Sequence, residues 1–188
     1  MKELFHGDLV RLTAEEPEMI ARAEARWVRD SEFVRLADSQ MEIGSERMIK
    51  EWVEKQIEKG PQPERYPFRI RTLVDDRLIG FIGLGVDLIH SDAWVGIAIG
   101  ERDAWNKGYG TDAMKICVRY AFLELGVQRV TLGVFAYNPR AQRSYEKVGF
   151  QLEGRTRQDI LREGSRADTL WMGILREEWF ALQNGEKS

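Results

Sequence analysis

The sequence predicts a mixed α/β fold in which helices flank a single sheet. Residues 61–103 contain three runs with apolar residues at alternate positions, which is typical of neighbouring strands. Residues 111–149 change to a helical period, then to a strand, and then to a second helix. The expected order is therefore one strand, two helices, several strands, a helix, a strand, a helix and a final pair of strands.

The N-terminal part is expected to begin with a strand and a helix. Residues 8–14 alternate between apolar and polar side chains, which indicates the strand. Residues 15–30 place Met19, Ala23 and Trp27 at helical spacing, which indicates the helix.

The next segment is clear only in its second half. Residues 30–40 fit an irregular segment and a short helix equally well. Ser45 is a suitable N-cap for the helix that follows, on which Met48, Trp52 and Ile57 share one apolar side. A Gly-Pro pair is expected to end this helix.

The middle of the chain is expected to form a hairpin and a further strand. Residues 61–76 end in an Asp-Asp turn, and residues 77–89 form the second arm. Residues 93–103 contain the next strand.

An amphipathic helix is predicted from Thr111 to the turn at Gly126. Asp112, Lys115 and Arg119 lie on its polar side. Its apolar stripe comprises Met114, Cys117, Ala121, Phe122 and Leu125. Beyond it we expect a strand, a helix ending at a second glycine, two strands and a short helical tail.

Composition and charge restrict the function classes. The chain has 188 residues, is 43% hydrophobic and carries a formal net charge of −3, as in ordinary soluble globular proteins. It shows no basic stripe, no apolar run long enough for a membrane span and no apolar stretch of a secretory signal near its start. We therefore expect one domain over residues 1–188, located in the cytoplasm, with no nucleic-acid or membrane partner. A homodimer is the default expectation.

The sequence gives no indication of a metal site. Cys117 is the single cysteine, and His6 and His90 have no ligand partner at useful spacing. No metal is expected.

The stretch WNKGYGTDAM, residues 105–114, places two glycines before the amphipathic helix. A helix N-terminus offers unpaired N–H groups and partial positive charge, and glycine lets an anion such as a pyrophosphate approach them. A plain strand-to-helix turn explains the pair equally well on this fragment alone. The strings of a Walker loop and of a dinucleotide-binding fold are absent.

A second motif, NPRAQRSYEKVGF, begins about thirty residues later. Asn138 is a good N-cap, Pro139 suits the first helical position, and Gly149 ends the helix. Ala141 and Tyr145 then share one face, where a role in packing would also account for the tyrosine.

The two motifs together resemble the GNAT superfamily of acyl-CoA-dependent N-acetyltransferases. IAIGERDAWNKGYGTDAMK is similar to its pyrophosphate-binding segment, and FAYNPRAQRSYEKVGF to its second cofactor segment. The flanks, GDLVRLTAEEPE and EGRTRQDILREGSRADTLWMGILREEW, are similar to the branch of ribosomal-protein N-terminal and spermidine acetyltransferases. One departure is Trp105, where the superfamily pattern often has Gln or Arg.

This resemblance implies a GNAT-type central sheet of six to seven mostly antiparallel strands flanked by helices, with acetyl-CoA as co-substrate. It implies that Tyr145 is the general acid that protonates the departing thiolate. The residues to which it assigns cofactor binding are Ile97, Ala98, Ile99, Asn106, Lys107, Gly108, Tyr109, Gly110, Thr111, Asn138 and Ala141.

The implied function is transfer of an acetyl group to a primary amine by direct attack in a ternary complex. The N-terminal amine of a protein is slightly favoured as acceptor; a polyamine, an aminoglycoside or another small amine is the alternative, and a non-catalytic acyl-CoA sensor is a further one. Residues 32–66 are expected to shape the acceptor pocket. Their acidic residues, Glu32, Asp38, Glu42 and Glu46, fit a cationic acceptor and a solvated surface equally well. No general base is assigned among Asp87, His90, Asp92, Glu101 and Asp103.

Overall fold

The chain folds around one seven-stranded sheet in the computed structural model, which describes residues 3–37 and 43–185. The strands are β1 (Val10–Thr13), β2 (Arg65–Thr72), β3 (Leu78–Asp87), β4 (Asp92–Ile99), β5 (Arg129–Phe135), β6 (Gln151–Arg162) and β7 (Ser165–Leu175). Their order across the sheet is β1-β2-β3-β4-β5-β7-β6. Neighbouring strands are antiparallel except β4 and β5, which are parallel. The predicted mixed α/β, mostly antiparallel sheet is confirmed.

Helices cover both faces of this sheet. They are α1 (Pro17–Trp27), α2 (Ser31–Leu36), α3 (Glu46–Glu58), α4 (Tyr109–Leu123), α5 (Pro139–Glu146) and α6 (Arg176–Gly185). Because alternate strand residues point to opposite faces, Ile97 and Ile99 pack toward the core formed with α4, whereas Ala98 packs against Trp27 and Phe33 of α1 and α2. Within the described ranges, no helix has the length and apolar character needed to cross a membrane.

Local sequence signals explain where several helices begin. The Ser45 hydroxyl accepts the N–H of Met48, and the Asn138 side chain accepts the N–H of Ala141, as predicted for N-caps. The ambiguous segment after α1 contains the short helix α2, which Asp30 caps through the N–H groups of Glu32 and Phe33.

The apolar side predicted for α3 is largely exposed and does not face the core. Met48, Trp52 and Ile57 are 54–57% exposed, and Val53 is the buried residue of this helix. The reason is that α3 packs against α1 and not directly on the sheet. Met19 of α1 is likewise exposed, since the buried side of α1 is centred on Ala23 and Trp27.

The polar side predicted for α4 requires a second correction. Asp112 is 8% exposed, and its carboxylate accepts the backbone N–H groups of Asp8, Leu9 and Val10 at 3.2, 2.8 and 3.0 Å. A side chain at Gly7 would overlap this carboxylate. Burial of the acid is tolerated because these donors solvate it in place of water.

Arg119 extends the same contact about two helical turns further along α4. Its guanidinium donates to the backbone carbonyls of Glu3, Leu4 and His6. Lys115, between the two, is exposed as predicted. The supposed solvent face of α4 therefore holds the N-terminal segment of the chain against the domain.

Candidate active site

The sheet opens between β4 and β5. Their pairing runs only from Asp92 opposite Arg129 to Trp94 opposite Thr131, although β4 continues to Ile99 and β5 to Phe135. Beyond that point the two parallel strands separate, so the edge of β4 from residue 95 onward faces β5 without this pairing. The opening leaves backbone N–H and C=O groups available to an extended ligand.

A cleft of about 260 Å³, here called the central cleft, occupies this opening. It is bounded by α2 on one face of the sheet and by the starts of α4 and α5 on the other. Of the residues predicted to act in the site, those lining it are Ile97, Ala98, Ile99, Asn106, Gly108, Tyr109, Gly110, Thr111, Asn138, Ala141 and Tyr145. Lys107 is exposed and lies outside this lining. Two sequence-distant motifs thus meet in one cavity.

The N-terminus of α4 forms one wall of the central cleft. Gly108 is the N-cap residue with φ 86°, a left-handed conformation that favours glycine, and it offers no side-chain acceptor to the helix. The first intrahelical bond of this end runs from Asp112 N–H to Gly108 C=O, which leaves the N–H groups of residues 109–111 directed out of the helix end. Since α4 has 15 residues, its dipole adds partial positive charge here.

The facing wall comes from α5, which sequence analysis recognised only in part. The Ser144 hydroxyl oxygen lies 2.7 Å from that of Thr111 and so joins the second half of α5 to the start of α4. Arg143 and Lys147 also line the central cleft. Their spacing along α5 could have revealed them, because residues three to four apart share a helix face. An anion at the α4 N-terminus would therefore meet cationic side chains as well as backbone donors.

Trp105, the departure from the superfamily pattern, fixes the end of β4. Its indole Nε1 donates to the Ile99 carbonyl at 2.7 Å. Arg140 stacks on its ring, with the guanidinium carbon 3.9 Å from the ring centroid, and Arg102 lies 5.5 Å from the same ring. Trp105 thus contacts both the end of β4 and Arg140 through its indole ring, which a Gln or Arg at this position lacks.

Tyr145 lies at the inner end of the central cleft and is 9% exposed. Burial raises the pKa of its phenol to about 12. The ring packs beside Phe150, 6.2 Å between centroids. The hydroxyl is therefore protonated at any physiological pH and can act as a donor.

The acidic residues considered as bases lie elsewhere. Glu101 accepts the Trp27 indole N–H at 2.8 Å and pairs with Arg26, and Asp103 pairs with Arg77 at 2.8 Å.

The remaining candidates lie at the opposite end of β4. Asp87 accepts the backbone N–H groups of Ile89 and His90 in the β3–β4 turn, and Asp92 lies 3.6 Å from Arg129. Among the described residues that line the central cleft, none is an Asp or Glu. In residues 3–37 and 43–185, no group of three or more His, Cys, Asp or Glu side chains is arranged to hold a metal ion.

A second cavity of about 440 Å³, here called the outer cavity, adjoins the central cleft on the α2 side. The two share Leu36, Asn138 and Arg140. The charged residues lining the outer cavity are Glu32, Arg35, Arg140, Arg162 and Glu163, contributed by α2, α5 and the β6–β7 turn.

The acidic residues expected near an acceptor are dispersed. Of these, Glu32 lines the outer cavity, whereas Glu46 pairs loosely with Arg22 at 3.9 Å on the α1–α3 surface. Asp38 and Glu42 lie outside the described residues. Neither Trp27 nor Trp52 lines either cavity.

Comparison with known proteins agrees with this geometry. The acetyltransferase (GNAT) domain family matches residues 9–151. A prophage-derived uncharacterized N-acetyltransferase of Bacillus subtilis, YokL, is 31% identical over 180 residues, covering 95% of this chain and 96% of its own. The putative ribosomal N-acetyltransferase YdaF of the same organism is 31% identical over 116 residues, 61% of each chain. The Vibrio cholerae spermidine N-acetyltransferase, solved with CoA and spermine, superposes with a TM-score of 0.79 at 23% identity, covering 91% of this chain and 98% of that one.

The fold is that of an acetyl-CoA-dependent acetyltransferase. The chain belongs to the GNAT acetyltransferase family. The predicted enzyme class, an acetyl-CoA-dependent N-acetyltransferase, is confirmed.

Proposed function

We propose that this enzyme acetylates the N-terminal amine of a protein or peptide. The observation that carries the proposal is that the central cleft crosses the sheet and continues into the outer cavity. A co-substrate bound on the α4–α5 side and an acceptor arriving from the α2 side can then meet at the separation of β4 and β5. Such an arrangement converts the reaction into one within a single complex.

The cofactor-binding roles follow from the walls of the central cleft. The N–H groups of residues 109–111 receive the diphosphate, with Arg143 and Lys147 adding charge. The free edge of Ile97, Ala98 and Ile99 pairs with the pantetheine arm, and the Asn138 amide group contacts it near the start of α5. The unpaired N–H groups at the start of α4 and the cationic side chains of α5 suit the negatively charged diphosphate.

Tyr145 supplies the proton in the proposed mechanism. Acetyl-CoA, when bound, provides an activated thioester carbonyl. A backbone N–H of β4 donates to the carbonyl oxygen as negative charge develops there, a contribution of a few kcal/mol in acyl-transfer enzymes. The protonated hydroxyl of Tyr145, a residue that lines the cleft, donates to the departing sulfur. Water takes the proton from the attacking amine, since the described lining holds no carboxylate.

The charge of the outer cavity favours a peptide over a polyamine. Its described lining has three arginines and two glutamates. A polyamine with several positive charges would lose hydration without finding an excess of acidic partners. A peptide N-terminus carries one amine and a polar backbone, which residues 137–140 at the start of α5 and the β6–β7 turn can contact by hydrogen bonds. YdaF, by its name a putative ribosomal N-acetyltransferase, is similar to this chain and supports the same choice.

An acceptor panel tests the proposal. Purified protein and acetyl-CoA are mixed with N-terminal peptides, spermidine, spermine and aminoglycosides, release of free thiol is followed, and the accepted compound is identified by its acetyl mass shift. We expect thiol release with peptides at least about ten-fold faster than with any polyamine, because each uncompensated like charge in a partly desolvated cavity costs on the order of 1 kcal/mol. Faster release with spermidine than with every peptide would overturn the choice of acceptor.

We further propose that the enzyme acts in the cytoplasm as a homodimer. The acidic composition and net charge of −3 support a soluble setting. Sedimentation equilibrium of the purified chain tests the dimer, and a mass of one chain at micromolar concentration would exclude it.

A further inference from the structure

The guanidinium of Arg140 lies where the central cleft meets the outer cavity, since this side chain lines both. It is half-buried and lies over the Trp105 ring, with the guanidinium carbon 3.9 Å from the centroid. Within the described ranges, its other interaction is a longer-range attraction to Glu32 and not a hydrogen bond. Its N–H groups therefore remain available to a ligand.

The carboxylates around the outer cavity already have partners. Glu163 pairs with Arg35 at 3.5 Å, across the gap between the β6–β7 turn and α2. Glu32 pairs with Arg102 at 3.1 Å, and Arg102 also binds Asp30. In residues 3–37 and 43–185, no carboxylate forms an ion pair with Arg140, and a buried or half-buried guanidinium is most stable when an anion accepts from it.

The anion in question is more consistent with the acceptor than with a cofactor phosphate. Arg143 and Lys147 line only the central cleft, beside the α4 N-terminus. Arg140 instead reaches the outer cavity, which those two residues do not line.

We propose that the acceptor carries a carboxylate close to its reactive amine and that Arg140 binds this carboxylate. The proposal rests on the proposed N-terminal acetylation and names its substrate class: peptides with an acidic residue at one of the first positions after the amine. Planar guanidinium groups bind carboxylates through two parallel hydrogen bonds, so Arg140 would also orient the amine toward the opening between β4 and β5.

The experiment compares three six-residue peptides that differ only at the second position, Ser-Glu, Ser-Gln and Ser-Lys. For the unaltered enzyme we expect kcat/KM to be at least about ten-fold higher for the glutamate peptide than for the glutamine peptide, because only glutamate forms a charge-assisted hydrogen bond with Arg140. We expect the lowest kcat/KM for the lysine peptide. A parallel set with the variable residue at the third position locates the carboxylate. Serine against serinamide distinguishes an α-carboxylate of a small acceptor from the side-chain carboxylate of a peptide.

Two variants assign the preference to Arg140. Arg140→Gln is expected to reduce the glutamate-to-glutamine ratio to less than about three, while Arg47→Gln, which removes an exposed arginine on α3 paired with Glu51, keeps the full ratio.

The outcomes separate this inference from the proposed function. Equal kcat/KM for the glutamate and glutamine peptides overturns the inference and leaves N-terminal acetylation intact. A rise in KM for acetyl-CoA in Arg140→Gln, with an unchanged peptide ratio, also overturns it, because the arginine would then bind the cofactor. Turnover of spermidine with no turnover of any peptide overturns the proposed function itself.

Discussion

At the scale of single residues, Tyr145 combines two properties that do not occur together in an ordinary core tyrosine. It is buried among apolar neighbours, yet it also lines a cleft formed by both sequence motifs. From the sequence alone, a role in packing and a role in catalysis were both open for Tyr145. The structure adds the environment, in which burial raises its pKa to about 12, so the hydroxyl stays protonated but is a weaker acid than an exposed phenol.

Removing only that hydroxyl gives the first prediction. Tyr145→Phe should lower kcat by at least about ten-fold, as for loss of a general acid, because the ring still fills its site. The dissociation constant for CoA, measured by calorimetric titration, should change by less than about two-fold. An unchanged kcat would reduce Tyr145 to a packing residue.

The raised pKa of Tyr145 gives a second prediction, on pH dependence. Because the folded-state pKa lies above the usual phenol value, the acid form is fully present below about pH 10 and is lost only as pH approaches 12. With a peptide acceptor, kcat/KM should rise through about pH 8 as the α-amine is deprotonated and then stay level to about pH 10. A fall in rate between about pH 8.5 and 10 would show that a group with a lower pKa donates the proton.

At the scale of secondary-structure elements, α4 performs two tasks from its first turn. Its exposed N–H groups border the central cleft, while Asp112, in the same turn, binds the start of β1. The Asp112 contact therefore holds the first turn of α4 in place on the side away from the central cleft. Its periodicity alone predicted the helix and its apolar stripe, but a buried carboxylate on the polar side has no periodic signature.

The third prediction concerns this contact. Asp112→Asn should lower the free energy of unfolding by about 1–3 kcal/mol, because an amide group turns donors toward backbone N–H groups that need an acceptor. Urea denaturation measures the change. Lys115→Gln, an exposed position on the same side of α4, is the matched control and should change the free energy by less than about 0.5 kcal/mol. Equal stability of the two variants would contradict the assigned role.

At the scale of the whole molecule, the sequence predicted the sheet and the helices, and nearly all of the predicted site residues line the central cleft. Alternation and caps are local signals, so β2, β3 and the ends of α5 followed from them directly. Which side of α3 is buried could not be predicted, because whether a helix packs on the sheet or on another helix depends on residues far away in the chain. The outer cavity was equally inaccessible, since α2, α5 and the β6–β7 turn meet only in the folded protein.

The central claim is that the start of α4 binds the diphosphate of coenzyme A, and Gly110 allows it to be tested without disturbing the fold. A Cβ at Gly110 would lie 3.6 Å from Ile99 Cγ1, an ordinary contact, so alanine can be accommodated beside β4. Alanine should also favour the helix by about 0.5–1 kcal/mol. Valine adds two methyl groups beside the N–H groups that the diphosphate needs.

The most direct measurement is a calorimetric titration of CoA into the unaltered protein, Gly110→Ala and Gly110→Val, with thermal unfolding of each as a check on folding. We expect binding by the first two and at least about ten-fold weaker binding by Gly110→Val, since loss of close approach removes hydrogen bonds to a charged group. No CoA binding by the unaltered protein, or equal binding by a folded Gly110→Val, would contradict the claim.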